Sequence, residues 1–203
     1  MIVTDIVEVS KNKVKIYIDN EVAFALYKSE LSKYGIHAGK ELEQNNYHFI
    51  IDDILTKRAK QRCMNLLQSR DYTKYQISSK LKQGMYPDEV IERAVAYVES
   101  YGYIDDTRYV RYYISENKNS KSRRQIEQKL LQKGICKEVV KSIYDELSED
   151  DEFDAEEELI QKYVKKRKYS NEDATFEEQQ KIISFLYRKG FSLDKIYKVV
   201  GEK

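Results

Sequence analysis

Two aspartates stand side by side in GYIDDTRYVRYYI, Gly102 to Ile114, and of all the residues in the chain they are the best placed by type to do chemistry. A carboxylate pair can hold a divalent cation or share acid–base work. A metal site needs a third oxygen or nitrogen ligand, and catalysis needs a base or an open coordination position. His37 and His48, the only histidines, lie far away in sequence. The acidic run SEDDEFDAEEE, Ser148 to Glu158, could lend a ligand, but it reads more simply as a solvated linker entering the acidic first turn of a helix. A second role uses every residue of the motif. With Asp105 at a helix N-cap, its carboxylate accepts from the N–H of Thr107 or Arg108, and both acids favour the positive end of the helix dipole. Ile104 then takes the staple position opposite Tyr109, while Tyr109, Val110, Tyr113 and Ile114 form a buried stripe. The pair is expected to be a cap, with no metal, no cofactor and no catalytic residue.

The remaining reactive side chains point the same way. Cys63 and Cys136 are isolated, without the spacing of a metal knuckle or redox pair, and are expected to be buried and reduced. There is no glycine-rich phosphate loop and no Ser/His/Asp or Cys/His constellation. A binding surface is therefore expected, and charge is sorted along the chain. The formal net charge is only +1, yet Asp106 to Ser142 holds ten Lys or Arg against four acids. Ile143 to Ile160 holds ten acids and no Lys or Arg. The basic groups that are candidates for binding are Arg70, Lys74, Arg111, Lys121, Arg123, Arg124, Lys165, Lys166 and Arg167. Such clusters attract phosphates or an acidic protein groove. Positive charge at a helix start opposes the dipole, so Arg123 and Arg124 call for a partner. Eighteen tyrosines are present. Most are expected in the core, but Tyr112, off the stripe and next to Arg111, is a candidate for stacking on a base.

The elements that would carry these residues follow from periodicity. At 203 residues, 41% hydrophobic and 35% charged with a single proline, the chain reads as mainly helical. No apolar run approaches the roughly 18 residues of a membrane span, and no secretory signal opens the sequence, so a cytoplasmic protein is expected. Val14, Ile16 and Ile18, then Val22, Phe24 and Leu26, alternate with the period of strands and follow a first strand over Val3 to Val9. This small meander packs on neighbouring helices, and a short helix fits Lys28 to Tyr34, closed by Gly35. From Tyr47 the helical period takes over, with Leu55, Ala59, Cys63 and Leu67 four apart.

A repeat then organises the rest. YTKYQISSKLKQGM, SRRQIEQKLLQKGI and TFEEQQKIISFLYRKGF each open with a capping box: Thr73 with Gln76, Ser122 with Gln125, Thr175 with Glu178. Each ends at a glycine, Gly84, Gly134 or Gly190, where a positive φ reverses the chain, followed by an apolar residue. The glycines fall 50 and then 56 residues apart, leaving room for one further helix between repeats. The expectation is an elongated, curved array of three three-helix units over 47–104, 105–148 and 149–203, with a β-rich extension over 1–46.

These segments resemble the RecX family of bacterial regulatory proteins. GYIDDTRYVRYYI is similar to that family's glycine, aromatic, aliphatic, Asp-Asp segment, SRRQIEQKLLQKGI to its repeat ending in Lys-Gly-Ile, and KLKQGMYPDEVIERAV to its first-unit segment. The likeness runs from about Lys57 to the C-terminus, and SKSRR departs from it where many members have a glycine. It implies a modulator of the RecA recombinase that lies along the groove of the RecA–DNA filament and inhibits recombinase and coprotease activities. The chain is expected to be a monomer and to contact single- or double-stranded DNA, directly or within the filament. Two other readings stay open beside it: a stand-alone nucleic-acid-binding repeat protein and, more remotely, a metal-dependent nuclease at Asp105 and Asp106.

Overall fold

The computed structural model describes residues 1–147, 155–170 and 173–201. The linker expected at 148–154 lies outside them. The described chain is mostly helical, with one small antiparallel sheet, and divides into two compact units, Met1–Asp105 and Asp106–Lys203.

In the first unit, alternation makes the strands β1 (Val3–Ser10), β2 (Lys13–Ile18) and β3 (Glu21–Tyr27), ordered β1-β2-β3. Asp19 and Asn20, both at positive φ, form the two-residue turn that a right-twisted hairpin prefers. Ile16 pairs with Ile6 on one side and Phe24 on the other, which puts Val14, Ile16, Phe24 and Leu26 on the buried face. The short helix α1 (Lys28–Lys33) ends before Gly35 at φ 66°. The next helix begins earlier than its apolar period suggests. α2 (Gln44–Phe49) runs into a π-helical stretch, Ile50–Leu55, and on into α3 (Thr56–Leu67). The wider turn lets the Ile51 carbonyl accept from the Thr56 N–H and also, at 2.8 Å, from the Thr56 hydroxyl. With α4 (Lys74–Gln83) and α5 (Asp88–Ser100) these helices close over the sheet in one core that joins Ile16 and Phe24 to Cys63, Ile77, Leu81 and Val90. The Lys13 ammonium fixes the two parts together by donating to the Gly84 carbonyl at 2.8 Å.

The second unit contains two cores. α6 (Asp106–Asn117), α7 (Arg123–Gln132) and α8 (Lys137–Leu147) surround Val110, Ile114, Ile126, Leu130 and Val140. α9 (Glu156–Lys166), α10 (Phe176–Arg188) and α11 (Leu193–Val200) surround Ile160, Ile182, Leu186 and Ile196.

All three capping boxes are closed, with the hydroxyls of Thr73, Ser122 and Thr175 accepting from the N–H three residues on. The three helix ends are alike in a way the glycines do not reveal. Tyr86, Ile135 and Phe191 donate back to Leu81, Leu130 and Leu186, the long hydrogen bond of a left-handed helix stop. The left-handed residue is Gly134 (φ 82°) and Gly190 (φ 94°) in two cases but Met85 (φ 64°) in the first. The expectation for Gly84 is therefore corrected: its φ is −75°. The reversal comes twelve residues after the cap at both Thr73 and Ser122, and in the first repeat the glycine falls one residue short of it. Gly84 is tight for a different reason, since a Cβ there would lie 3.0 Å from both the Leu81 carbonyl oxygen and the Tyr86 ring.

Two further expectations change. Tyr109 and Tyr113 flank the stripe half-buried, leaving Val110 and Ile114 as its fully buried members. Cys63 is buried, but Cys136 is exposed because it sits in the turn between Ile135 and α8.

Candidate interaction surface

Asp105 immediately precedes α6 and Asp106 opens it, at the end where carboxylates are favoured. Among the described residues, no group of three or more His, Cys, Asp or Glu side chains is placed to hold a metal ion, and no helix is long and apolar enough to cross a membrane.

The basic candidates fall into two classes. Several are tied inside the fold. Arg111 on α6 makes a two-pronged ion pair with Glu146 on α8, at 2.6 and 2.5 Å, which holds the Glu146 carboxyl below its usual range. Lys74 pairs with Glu99, and Lys121 donates to the Asn117 side chain while lying 5.5 Å above the Tyr113 ring. Arg123 has several partners. Its side chain donates to Glu127 at 2.9 Å and covers the Tyr144 ring at 4.3 Å, and its backbone N–H donates to Glu156 at 2.7 Å. The other oxygen of Glu156 accepts from Lys195 at 2.8 Å. The partner that the positive start of α7 called for is thus internal: a carboxylate from α9 sits at the helix entrance. Burial, helped by Glu127, pushes the Tyr144 hydroxyl pKa up. Sequence reading could not find these pairs, because 33 and 35 residues separate Arg123 from Glu156 and Arg111 from Glu146.

The second class is outward. Arg124, Lys165, Lys166 and Arg167 are exposed, as are Arg70, whose guanidinium lies 4.6 Å over Tyr72, and Tyr112, 63% accessible. Two of these line recesses along α10. Arg124, with Arg188 and Lys189, borders one of about 300 Å³ at the seam where α7 meets the end of α10. Arg167, whose guanidinium stacks 3.6 Å over the Phe185 ring, borders another of about 600 Å³ with Phe176, Lys181 and Arg188. The seam is close. Ser122 Oγ accepts from the Gln125 N–H and donates to the Lys189 carbonyl at 2.8 Å, and a Cβ on Gly190 would lie 2.7 Å from that hydroxyl. Sequence reading passed over Phe176, Lys181, Tyr187, Arg188 and Lys189. The available signal was the spacing of Phe176 and Tyr187, eleven residues apart and so within about 20° of one helical face.

Comparison with known proteins decides the family. Models described as the first, second and third three-helix domains of RecX match residues 59–97, 105–142 and 150–200 in that order. Over 203 residues the chain is 31% identical to a protein named Regulatory protein RecX from Caldanaerobacter subterraneus subsp. tengcongensis, covering 99% of each. The chain belongs to the RecX family. A RecX from Clostridioides difficile is 28% identical, over 99% of this chain and 95% of that one. A solved structure described as regulatory protein RecX superposes with a TM-score of 0.64 at 26% identity, over 99% of this chain and 98% of that one. RecX from Lactobacillus salivarius shares the fold, with a TM-score of 0.61 over 72% of this chain and 94% of that one. The residues of the N-terminal sheet lie before the three RecX domain models and within the stretch aligned to the Caldanaerobacter relative.

Proposed function

We propose that this chain regulates the RecA recombinase without chemistry of its own. In this reading a monomer in the cytoplasm lies in the groove of the RecA–DNA filament and suppresses recombinase and coprotease activity. The observation that carries the reading is the succession of three RecX three-helix domains, in a chain whose full-length relatives are named regulatory proteins. The physical arrangement agrees with it. Units taken as 47–104, 105–148 and 149–203, after the extension 1–46, offer many small exposed contacts instead of one deep pocket, which suits a repetitive polymer. The outward cations, Arg124, Lys165 and Lys166 foremost, are the groups for DNA phosphates or acidic filament surfaces.

The test is DNA-dependent ATP hydrolysis by RecA in the presence of sub-stoichiometric protein. Inhibition is expected, and Arg124→Glu combined with Lys165→Glu and Lys166→Glu is expected to weaken it severalfold while the helical circular-dichroism signal stays unchanged. Full inhibition by that folded variant removes the three residues from the interface. A wild-type chain that neither inhibits RecA nor sediments with its filaments, yet sediments with bare DNA, leaves the stand-alone nucleic-acid-binding reading in its place.

A further inference from the structure

The two recesses on α10 adjoin, because Arg188 lines both. Together they gather five cations, Arg124, Arg167, Lys181, Arg188 and Lys189, against a single lining carboxylate, Glu177, which stands 4.0 Å from Lys181. Glu178, the next acid along the helix, is held in the capping box of Thr175 and lines, with Asp173, the neighbouring recess that Arg167, Lys168 and Lys181 also border. Like charges held this close repel, and an anion along the strip offsets that repulsion. Three of the cations are already oriented: Arg167 by its stack on Phe185, Lys189 by its ammonium 5.8 Å from the Phe185 and Tyr163 rings, and Arg188 by a 3.2 Å bond from Nε to the Ser184 carbonyl.

Aromatic rings accompany the charge. Phe176 is 64% and Tyr187 50% exposed. Eleven residues of helix separate them, three turns, so both project from one face about 16 Å apart. Between them, the positions nearest that face are Gln180, which is exposed, and Ile183, which is buried in the core and so leaves no apolar surface there. A partner helix would be met by an apolar stripe at every third or fourth position, and this face lacks one. Isolated rings between cations instead match the way single strands are bound, by stacking that every base satisfies and charge that follows the backbone.

We propose that this strip, on the third three-helix unit and its seam with the second, binds single-stranded DNA. The phosphodiesters lie among Arg124, Arg167, Lys181, Arg188 and Lys189, and bases stack on Phe176 and Tyr187. That the strand is DNA rests on the reading of the protein as a partner of RecA–DNA filaments; the single-stranded polynucleotide character rests on the strip itself.

Fluorescence anisotropy of a labelled oligothymidylate about 12 nucleotides long, with the full chain and no RecA, tests the assignment. Binding is expected at ~50 mM salt, with log K falling against log salt at a slope near −3, the value for four to five neutralised phosphates. Arg124→Glu with Arg188→Glu is expected to lower affinity at least tenfold and flatten that slope. Phe176→Ala with Tyr187→Ala is expected to lower affinity about tenfold at unchanged slope. If either pair loses the helical circular-dichroism signal, Lys181→Glu, on an outward side chain, replaces it and must flatten the slope. No binding, or affinity untouched by these variants, overturns the site. Equal or tighter binding of a duplex or of polyglutamate overturns it in favour of a shape-reading or acidic-protein surface, and tighter binding of oligouridylate overturns the assignment to DNA. A chain that inhibits RecA but does not bind the oligonucleotide loses this site and keeps the filament reading. One that binds through the strip without inhibiting RecA keeps the site and loses the filament reading.

Discussion

Met85 adopts the left-handed conformation that glycine adopts at the two corresponding turns, and it does so with a half-buried side chain. A non-glycine residue there carries a backbone cost of order 1 kcal/mol. Met85→Gly is therefore expected to raise stability by about 1 kcal/mol less whatever packing the side chain supplies, and Gly134→Ala to lower it by about 1 kcal/mol. Urea denaturation of both variants gives the two signs. Gly84 should not be treated as the equivalent of Gly134: its missing side chain makes room for the Tyr86 ring, and its φ is ordinary. The cysteines also differ residue by residue. Burial pushes the Cys63 thiol from 9.0 up to about 11, so the fold holds it neutral. A neutral acid favoured by the folded state contributes stability fully below the unfolded thiol's pKa, near 8.5, and that contribution is lost as pH rises from there to about 11. At pH about 8, a disulfide-exchange reagent is expected to label one thiol per chain rapidly, the exposed Cys136, and Cys63 only on unfolding. Rapid labelling of both in the folded protein would contradict the burial of Cys63.

The three helices α4, α7 and α10 begin alike and are not equally dispensable at their starts. The Thr175 hydroxyl serves its own helix, whereas Ser122 Oγ also donates across the seam to Lys189. Thr175→Ala is expected to cost about 1 kcal/mol and Ser122→Ala about 2 kcal/mol, since the latter also leaves the Lys189 carbonyl without that donor. Gly190→Ala is expected to cost more, about 3 kcal/mol, because φ 94° strains any side chain and the new Cβ would fall 2.7 Å from Ser122 Oγ. Thermal melts of the three variants should rank in that order, and an equal cost for Thr175→Ala and Ser122→Ala would argue that the seam bond carries no stability. The caps were legible in the sequence because a capping box is a four-residue pattern, and the strands because alternation is local. What was not legible is set by partners distant in the chain. The length of each helix before its stop placed the reversal at Met85, and the π-helical turn at Ile50–Leu55 shifted the helix face ahead of α3. Arg123 looked like surface charge because Glu156 lies 33 residues further on. Phe176 and Tyr187 stand out only once the burial of Ile182, Ile183 and Leu186 leaves them outside the core.

Among the described residues, apolar burial is partitioned: one core spans the N-terminal sheet and α2 to α5, and two more lie beyond Asp105. The sheet is not an appendage to the first unit, because Ile16 and Phe24 share a core with Ile77 and Val90 and Lys13 is bonded to the turn after α4. Three short strands alone would be marginal, and the helices supply the missing burial. Cores of this kind unfold as separate cooperative units when their stabilities differ enough. Ile126→Ala removes a fully buried side chain from the core of α6 to α8 and is expected to cost about 3 kcal/mol there. In urea this variant should melt in two steps: an early loss of part of the helical signal, then a late step that carries the sheet and the environment of Cys63 and keeps the wild-type midpoint. Thiol labelling at intermediate urea separates the steps, since Cys63 should stay protected through the first and become reactive only in the second. Ile77→Ala, at the equivalent place in the first core, should reverse the order and expose Cys63 early. If instead Ile126→Ala moved Cys63 exposure and the whole helical signal together to lower urea, the two units would fold as one cooperative body, and the strip on α10 could not be altered without touching the unit that holds the sheet.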